Sequence, residues 1–321
     1  MRAVLIVNPN ATSTTPAGRD LLAHALESRV ELTVAHTDRR GHAAEIAQSA
    51  HRDGVDVIIV HGGDGTVNEV VNGLLGTPGS QRPDAAELPA VAVVPGGSAN
   101  VFARALGISS DPIEATNQLI DLLGVHRAGD PWRRIGLMDC VERWAVFTAG
   151  MGVDGDVVAA VEAQRAKGRK VTPGRYMRVA LREMLSNARE EPLLTVHLPG
   201  REPTPGVHFA FVSNASPWTY AGTRPVWTNP DTTFETGLGV FAVTTMNVAE
   251  NLLLLRRMLS KKADIKARHL VRADDLDWVR ITASAPVSCQ VDGDFLGLRD
   301  DMTFTSVPGA LAVVAPRADT P

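Results

Sequence analysis

Short, unbroken apolar runs alternate with amphipathic stretches through the first 110 residues of the chain. The runs Ala3–Val7, Leu32–Ala35, Val55–Val60 and Val91–Val94 contain no polar alternation, the pattern of strands covered on both faces. Between them, residues 16–28, 42–52 and 66–75 predict helices, and a fourth is predicted over 98–106. A βαβα series of this kind implies a parallel sheet with right-handed crossovers.

From about residue 125 the character changes. Trp144–Ala149, Leu194–Leu198, His208–Ser213, Val240–Thr245, Trp278–Ala283 and Val287–Val291 are strand-like, and only 174–187 and 248–262 stand out as helical. That is the pattern of an antiparallel β domain. The polar, turn-rich segment Arg127-Ala128-Gly129-Asp130-Pro131 marks the break. The predicted fold class is therefore α/β plus β, with an α/β domain over 1–128 and a β-rich domain over 129–306. The last apolar run, Ala310–Ala315, follows Pro308-Gly309, which leaves 307–321 free to return to the first domain.

Length agrees with two domains, since 321 residues exceed the usual span of one. Apolar residues at 44% and charged residues at 21% allow a core and argue against large-scale disorder. The formal net charge of -4 excludes a global polycation that coats nucleic acid. The charges are unevenly spread, however. Arg165–Arg182 holds seven cations and no acid, and Arg256–Arg272 holds seven with only Asp264 against them. The rest of the chain is acidic.

Two cysteines, Cys140 and Cys289, and nine histidines without an H-x3-H pair give neither a disulfide framework nor a thiolate or paired-histidine metal site. A reducing cytoplasm fits. The apolar run at the N-terminus is cut off by Asn8-Pro9, too short for a signal segment, and no run approaches a membrane span.

Ligands of open parallel sheets bind beyond the carboxyl ends of the strands. There the chain places Asn8-Pro9-Asn10 with Thr12 close behind, Thr37-Asp38, His61-Gly62-Gly63-Asp64-Gly65-Thr66, and Pro95-Gly96-Gly97-Ser98-Ala99-Asn100. Two Gly-Gly turns each lead into a helix, whose free N–H groups and positive dipole end favour phosphate. Asp64 is the natural carboxylate for a Mg2+ that accompanies a nucleotide. Plainer readings exist for parts of this set. Thr66-Val67-Asn68-Glu69 has the form of a capping box, and Ser98 is an acceptable N-cap. No P-loop is present, and the G-x-G-x-x-G match at Gly150, Gly152 and Gly155 lies in the β-rich half without a βαβ unit.

These residues resemble the diacylglycerol kinase catalytic domain family, which includes bacterial lipid kinases and sphingosine kinases. The resemblance is carried by Asn8-Pro9, Thr37 with Gly41-His42-Ala43, the block Gly62–Gly73, the block Pro95–Phe102, and Val291-Asp292-Gly293-Asp294. It implies a Rossmann-like three-layer α/β nucleotide domain, an antiparallel β-sandwich domain, ATP in the cleft, and a lipid hydroxyl phosphorylated at the membrane surface. Asn8, Asn10, Thr12, Thr37, Gly62, Gly63, Asp64, Gly65, Thr66, Glu69, Gly97, Ser98 and Asn100 are then the candidate nucleotide residues. Ser98 stands where the family usually has Thr. Asp292 matches the family's catalytic base, with Asp294 as its supporting carboxylate in place of Glu. Residues alone do not rank Asp292 above Asp154, which sits in a second Val-Asp-Gly-Asp copy; the resemblance favours Asp292.

One departure concerns metal. Family members often carry acids before a Gly-Leu-Leu-Asp-like run that hold a structural Mg2+, and Asp231–Gly239 retains only Glu235 of those acids. The sequence thus predicts an ATP- and Mg2+-dependent lipid kinase, cytoplasmic and peripheral at the inner membrane surface. Arg165–Arg182 and Arg256–Arg272 would contact anionic lipid. Competing expectations are a kinase of NAD or another soluble metabolite sharing Gly-Gly-Asp-Gly, and a nucleotide-binding regulator without catalysis. The acceptor lipid and the oligomeric state carry no motif.

Overall fold

The computed structural model describes residues 1–11, 15–79, 83–127, 130–166, 191–260 and 264–317. The chain forms two compact units. The first comprises Met1–Leu137, Glu142–Trp144 and Pro308–Pro321, and the second Met138–Val141 and Ala145–Val307.

In the first unit β1 (Arg2–Val7), β2 (Glu31–His36), β3 (Val57–Gly62) and β4 (Ala90–Pro95) are parallel in the order β2-β1-β3-β4. β3 and β4 are buried at every residue, as unbroken apolar runs require. β2 is not: it is the edge strand, mostly accessible to solvent, with Val34 exposed. Its apolar run therefore overstated its burial. Helices α1 (Pro16–Glu27), α2 (His42–Arg52), α3 (Asp64–Leu75), α4 (Val101–Ala105) and α5 (Pro112–Val125) follow the strands. α5 was not expected from periodicity, although its start is written plainly: Asp111 accepts the N–H groups of Ile113 and Glu114, and Pro112 occupies the first turn. The C-terminal run closes this sheet, with Val313 paired in parallel to Val91.

The chain continues through β5 (Arg133–Asp139), β6 (Trp144–Ala145), β8 (Leu194–His197), β9 (Thr204–Val207), β11 (Thr219–Ala221) and β12 (Arg224–Val226). In the second unit β7 (Thr148–Gly152), β10 (Phe209–Ser213), β13 (Leu238–Val243), β14 (Leu270–Leu276), β15 (Trp278–Val291) and β16 (Asp294–Val313, of which Pro308 onward belongs to the first unit) form an antiparallel sheet in the order β14-β13-β10-β7-β15-β16. Two strand runs predicted separately, 278–283 and 287–291, are one strand with an irregular register between Thr282 and Val287. Alternate residues serve two cores. Ala210, Val212, Val240 and Ala242 join one cluster, and Phe209, Phe211, Phe241 and Val243 the other.

Helix α6 (Val153–Ala166) is a further element that the apolar periodicity does not predict. It explains the glycine match at residues 150–155, because a Cβ on Gly155 would lie 2.4 Å from the Ser288 carbonyl carbon. That glycine lets α6 press on β15; it does not cradle a dinucleotide. The second unit also carries α7 (Val248–Met258), shorter than the predicted 248–262. The helix predicted over 174–187 lies outside the described residues.

Candidate functional site

β3 and β4 end side by side, so their glycine loops emerge as neighbours, and the Gly96 N–H donates to the Gly62 carbonyl at 2.8 Å. Beyond that bond the loops touch backbone to backbone. A Cβ built on Gly97 would lie 2.7 Å from Gly63 Cα, and one on Gly63 would lie 3.3 Å from Gly97 Cα. Asn100 closes the second loop on itself. Its carboxamide accepts the Gly97 N–H and donates to the Gly97 carbonyl, both at 2.9 Å.

Asp64 ties the two loops together. Its carboxylate accepts the N–H groups of Val101 and Phe102 at 3.1 and 3.0 Å, capping the start of α4 from the other loop. Burial pushes its pKa up, although these N–H groups pull the other way. The loop after β1 joins in through Asn8, whose Nδ2 donates to Thr66 Oγ1 at 3.1 Å and whose Oδ1 accepts the Asn10 N–H at 3.0 Å. Thr37, buried at the end of β2, donates its N–H to the Val7 carbonyl. Thr12 lies outside the described residues. Asn8, Thr37, Gly62–Thr66 and Gly97–Asn100 thus occupy one edge of the sheet. The N–H groups of Gly65, Ser98 and Ala99 find no acceptor among the described residues. Gly65 and Ser98 are exposed. Three donors on touching loops are thus left without an acceptor among the described residues, as the first N–H groups of a helix are until something caps them.

Two expectations change here. α3 begins at Asp64 with Gly63 as N-cap and no side-chain cap, so Thr66 and Glu69 are not a capping box. Glu69 instead reaches α2, accepting the Gly41 N–H at 2.9 Å and the Ala43 N–H at 3.3 Å. Its position is that of a cap for another helix. Ser98 is likewise no N-cap, because α4 starts after Asn100. Its side chain is exposed.

The far end of the Gly62–Gly73 block holds chain rather than ligand. Asn68 and Asn72, one turn apart on α3, both donate to the Trp144 carbonyl, at 3.0 and 3.1 Å, and Asn72 Oδ1 accepts the Trp144 N–H at 2.9 Å. Arg143 donates to Asn68 Oδ1. Two asparagines four apart in an otherwise apolar helix are the sequence signal for this clamp.

In the second unit Asp292 and Gly293 form the two-residue turn between β15 and β16, with φ of 50° and 81°. Asp-Gly is the favoured pair for such a hairpin. The Asp292 carboxylate is buried. Oδ2 accepts the Val146 N–H at 2.6 Å, and Oδ1 accepts those of Phe147 and Thr148 at 3.0 and 2.9 Å. These backbone donors fix its orientation, and no side-chain pattern announces them. Asp294 opens β16, half-buried, paired across the turn with Val291. Asp154 lies in the first turn of α6.

Glu235, the candidate metal ligand, is exposed. Among the described residues no three His, Cys, Asp or Glu side chains come together as a metal cluster. Near Glu235 in sequence the acids meet a cation of the chain itself: Arg272 bonds Asp231 and Asp274, each at 2.9 Å. Asp274 also accepts from Asn229 and Thr232. The residues present therefore do not fit a protein-held structural ion; a guanidinium occupies the carboxylates.

Of the two basic segments, residues 167–190 and 261–263 lie outside the described residues. Arg256, Arg257, Lys266, Arg268 and Arg272 are described, and no described helix is long and apolar enough to cross a membrane.

Residues 2–127 match the diacylglycerol kinase catalytic domain family. Over 122 residues the chain is 38% identical to a probable lipid kinase YegS-like protein of Stenotrophomonas maltophilia, a match covering 36% of this chain and 38% of that one. Over 102 residues it is 36% identical to a diacylglycerol kinase of Staphylococcus haemolyticus, covering 32% of this chain and 28% of the relative. The matches thus span well under half the length of these curated relatives. A solved diacylglycerol kinase structure from Bacillus anthracis shares the fold, with a TM-score of 0.69, 20% identity, and coverage of 99% of this chain and 98% of that one.

Proposed function

We propose that the chain is an ATP-dependent lipid kinase that phosphorylates a hydroxyl of diacylglycerol or a similar lipid. The observation that carries this reading is the trio of unsatisfied N–H groups at Gly65, Ser98 and Ala99, on loops held in contact at Gly63 and Gly97. Donors of this kind suit the β- and γ-phosphates of ATP. Asn8, Thr66 and the Ser98 hydroxyl add polar groups at the same edge. The α/β unit is then the nucleotide domain and the β-rich unit the lipid domain.

Phosphoryl transfer passes through a loose transition state, so catalysis consists mostly of positioning and charge stabilisation. The acceptor oxygen forms its bond to the γ-phosphorus as the bond to the β–γ bridging oxygen breaks and ADP leaves. The hydroxyl proton must go to a base. Asp292 suits that role because three N–H groups hold its carboxylate in one orientation, which removes the entropy cost of aiming it. Asp294 supports it from the other side of the turn. A Mg2+ accompanying the nucleotide would neutralise phosphate charge, and Asp64, whose carboxylate also accepts the Val101 and Phe102 N–H groups, is the carboxylate that would hold it.

Peripheral contact with anionic lipid through Arg256–Arg272 follows from the same reading, on the inner membrane surface. A soluble-metabolite kinase would share the loops but not the need for an interface. An inactive regulator would bind ATP and form no labelled product. Incubating the protein with labelled ATP and a mixed lipid extract, then identifying the labelled product, tests the proposal. A labelled phospholipid supports it; label transferred only to NAD or another soluble metabolite, or to nothing, overturns it.

A further inference from the structure

Helix α7 is apolar on two sides. Its inner stripe, Leu254 and Met258, is buried in the core cluster around Phe241. The outer stripe is largely exposed among the described residues: Val248 is 52% exposed, Leu252 60%, Leu253 50% and Leu255 40%. These are four of the eleven exposed large hydrophobics among the described residues, gathered within eight positions. Scattered exposed leucines need no explanation, but a contiguous patch marks an interaction surface.

The surroundings of the stripe say what it meets. Arg256 and Arg268 are exposed and have no carboxylate partner among the described residues. Arg257 donates to the Lys266 carbonyl, and Lys266 pairs with Asp264 only at the surface. Leu253, Leu254, Arg257, Lys266, Arg268 and His269 line an open groove of about 530 Å3 beside α7. The one acid of the groove, Glu250, is taken by His269 at 3.0 Å. An apolar stripe rimmed by cations, of which Arg256 and Arg268 have no carboxylate partner among the described residues, is complementary to a surface that is apolar within and anionic at its rim. A second copy of the same face is a poor match, since two-fold pairing would set these cations against one another.

We propose that Val248, Leu252, Leu253 and Leu255 of α7 insert into the surface of an anionic lipid leaflet, while Arg256, Arg257, Lys266 and Arg268 hold headgroup phosphates around them. The helix then lies in the plane of the interface with its inner stripe still in the protein core. This rests on the lipid-kinase reading for its purpose but not for its measurement. It assigns docking to a short rigid element rather than to basic charge alone.

Vesicle flotation tests it, with phosphatidylcholine vesicles and vesicles that also contain phosphatidylglycerol. Wild type should float with the anionic vesicles and much less with the neutral ones. Leu252→Ser/Leu255→Ser should weaken flotation roughly tenfold or more, because each leucine contributes several buried methylenes. Arg256→Gln/Arg268→Gln should weaken it chiefly at low salt. All four side chains are exposed, and a thermal melt checks that the fold is kept. If a serine variant does unfold, Leu253→Trp in the otherwise intact chain gives a second readout: its emission should shift to the blue on anionic vesicles. Phosphorylation of a short-chain, water-soluble diacylglycerol separates the two readings. Variants that lose flotation but keep this activity support both. Normal flotation of the serine variant with no shift at Trp overturns the docking surface, as does loss of a dimer in that variant with flotation unchanged. Loss of soluble-substrate turnover in wild type overturns only the kinase.

Discussion

Gly63 and Gly97 meet so closely that a methyl group on Gly97 would stand 2.7 Å from Gly63 Cα. The two glycine loops are therefore one structure, made possible by the absence of two side chains. Gly97→Ala should push the loops apart, misplace the Gly65, Ser98 and Ala99 donors, and lower ATP affinity by roughly tenfold or more, since 1.4 kcal/mol is a factor of ten. Overpacking at such a contact costs about 1–3 kcal/mol of stability. Gly63→Ala, with 3.3 Å to its neighbour, should be milder in both. Titration calorimetry with ATP and a urea unfolding curve check the order.

Glu69 belongs to the glycine-rich block, yet its carboxylate bonds the Gly41 and Ala43 N–H groups at the start of α2. Glu69→Ala should cost about 1 kcal/mol in unfolding free energy, as loss of a helix cap does. KM for ATP should stay near the wild-type value. A large rise in KM with unchanged stability would return Glu69 to the nucleotide site.

His61 is buried in β3 with its Nδ1 at 3.2 Å from the Val94 carbonyl, and burial pushes its pKa below the usual histidine value. Burial lowers that of His208 in the same direction. The unfolded chain takes up protons first as pH falls through about 6.5, so these groups make stability fall with pH below that point until the folded histidines also titrate. His61→Asn keeps a donor for Val94 without the titration. Thermal melts from pH 7.5 to pH 5.5 should show a shallower decline in the variant, the difference being at most about 1.4 kcal/mol per pH unit.

The pattern of apolar runs was enough to place β1, β3 and β4, and the Gly-Gly turns marked the loops that follow them. What it could not give has physical causes. β2 shares the apolar composition of its neighbours but lies at the edge. α6 starts with Val153-Asp154-Gly155-Asp156 directly after Gly152, a turn signal locally, and forms because Gly155 lets it pack on Ser288. The donors that orient Asp292 are main-chain groups of Val146, Phe147 and Thr148, about which side-chain identity says nothing. Glu69 does not cap its own helix, because a glutamate three residues after a threonine fits a capping box whichever helix start its carboxylate reaches, here that of α2.

The role of Asp292 is tested most directly by comparing wild type with Asp292→Asn in two measurements on the same preparations, ATP binding and formation of labelled lipid. Asn tolerates the positive φ of the turn, but its amide must face one of the three N–H donors, so the variant should be less stable by about 1–3 kcal/mol while still folded. With Asp292 as the base, ATP affinity stays within about twofold of wild type and labelled lipid falls by roughly a hundredfold or more. Full transfer by Asp292→Asn would contradict that role.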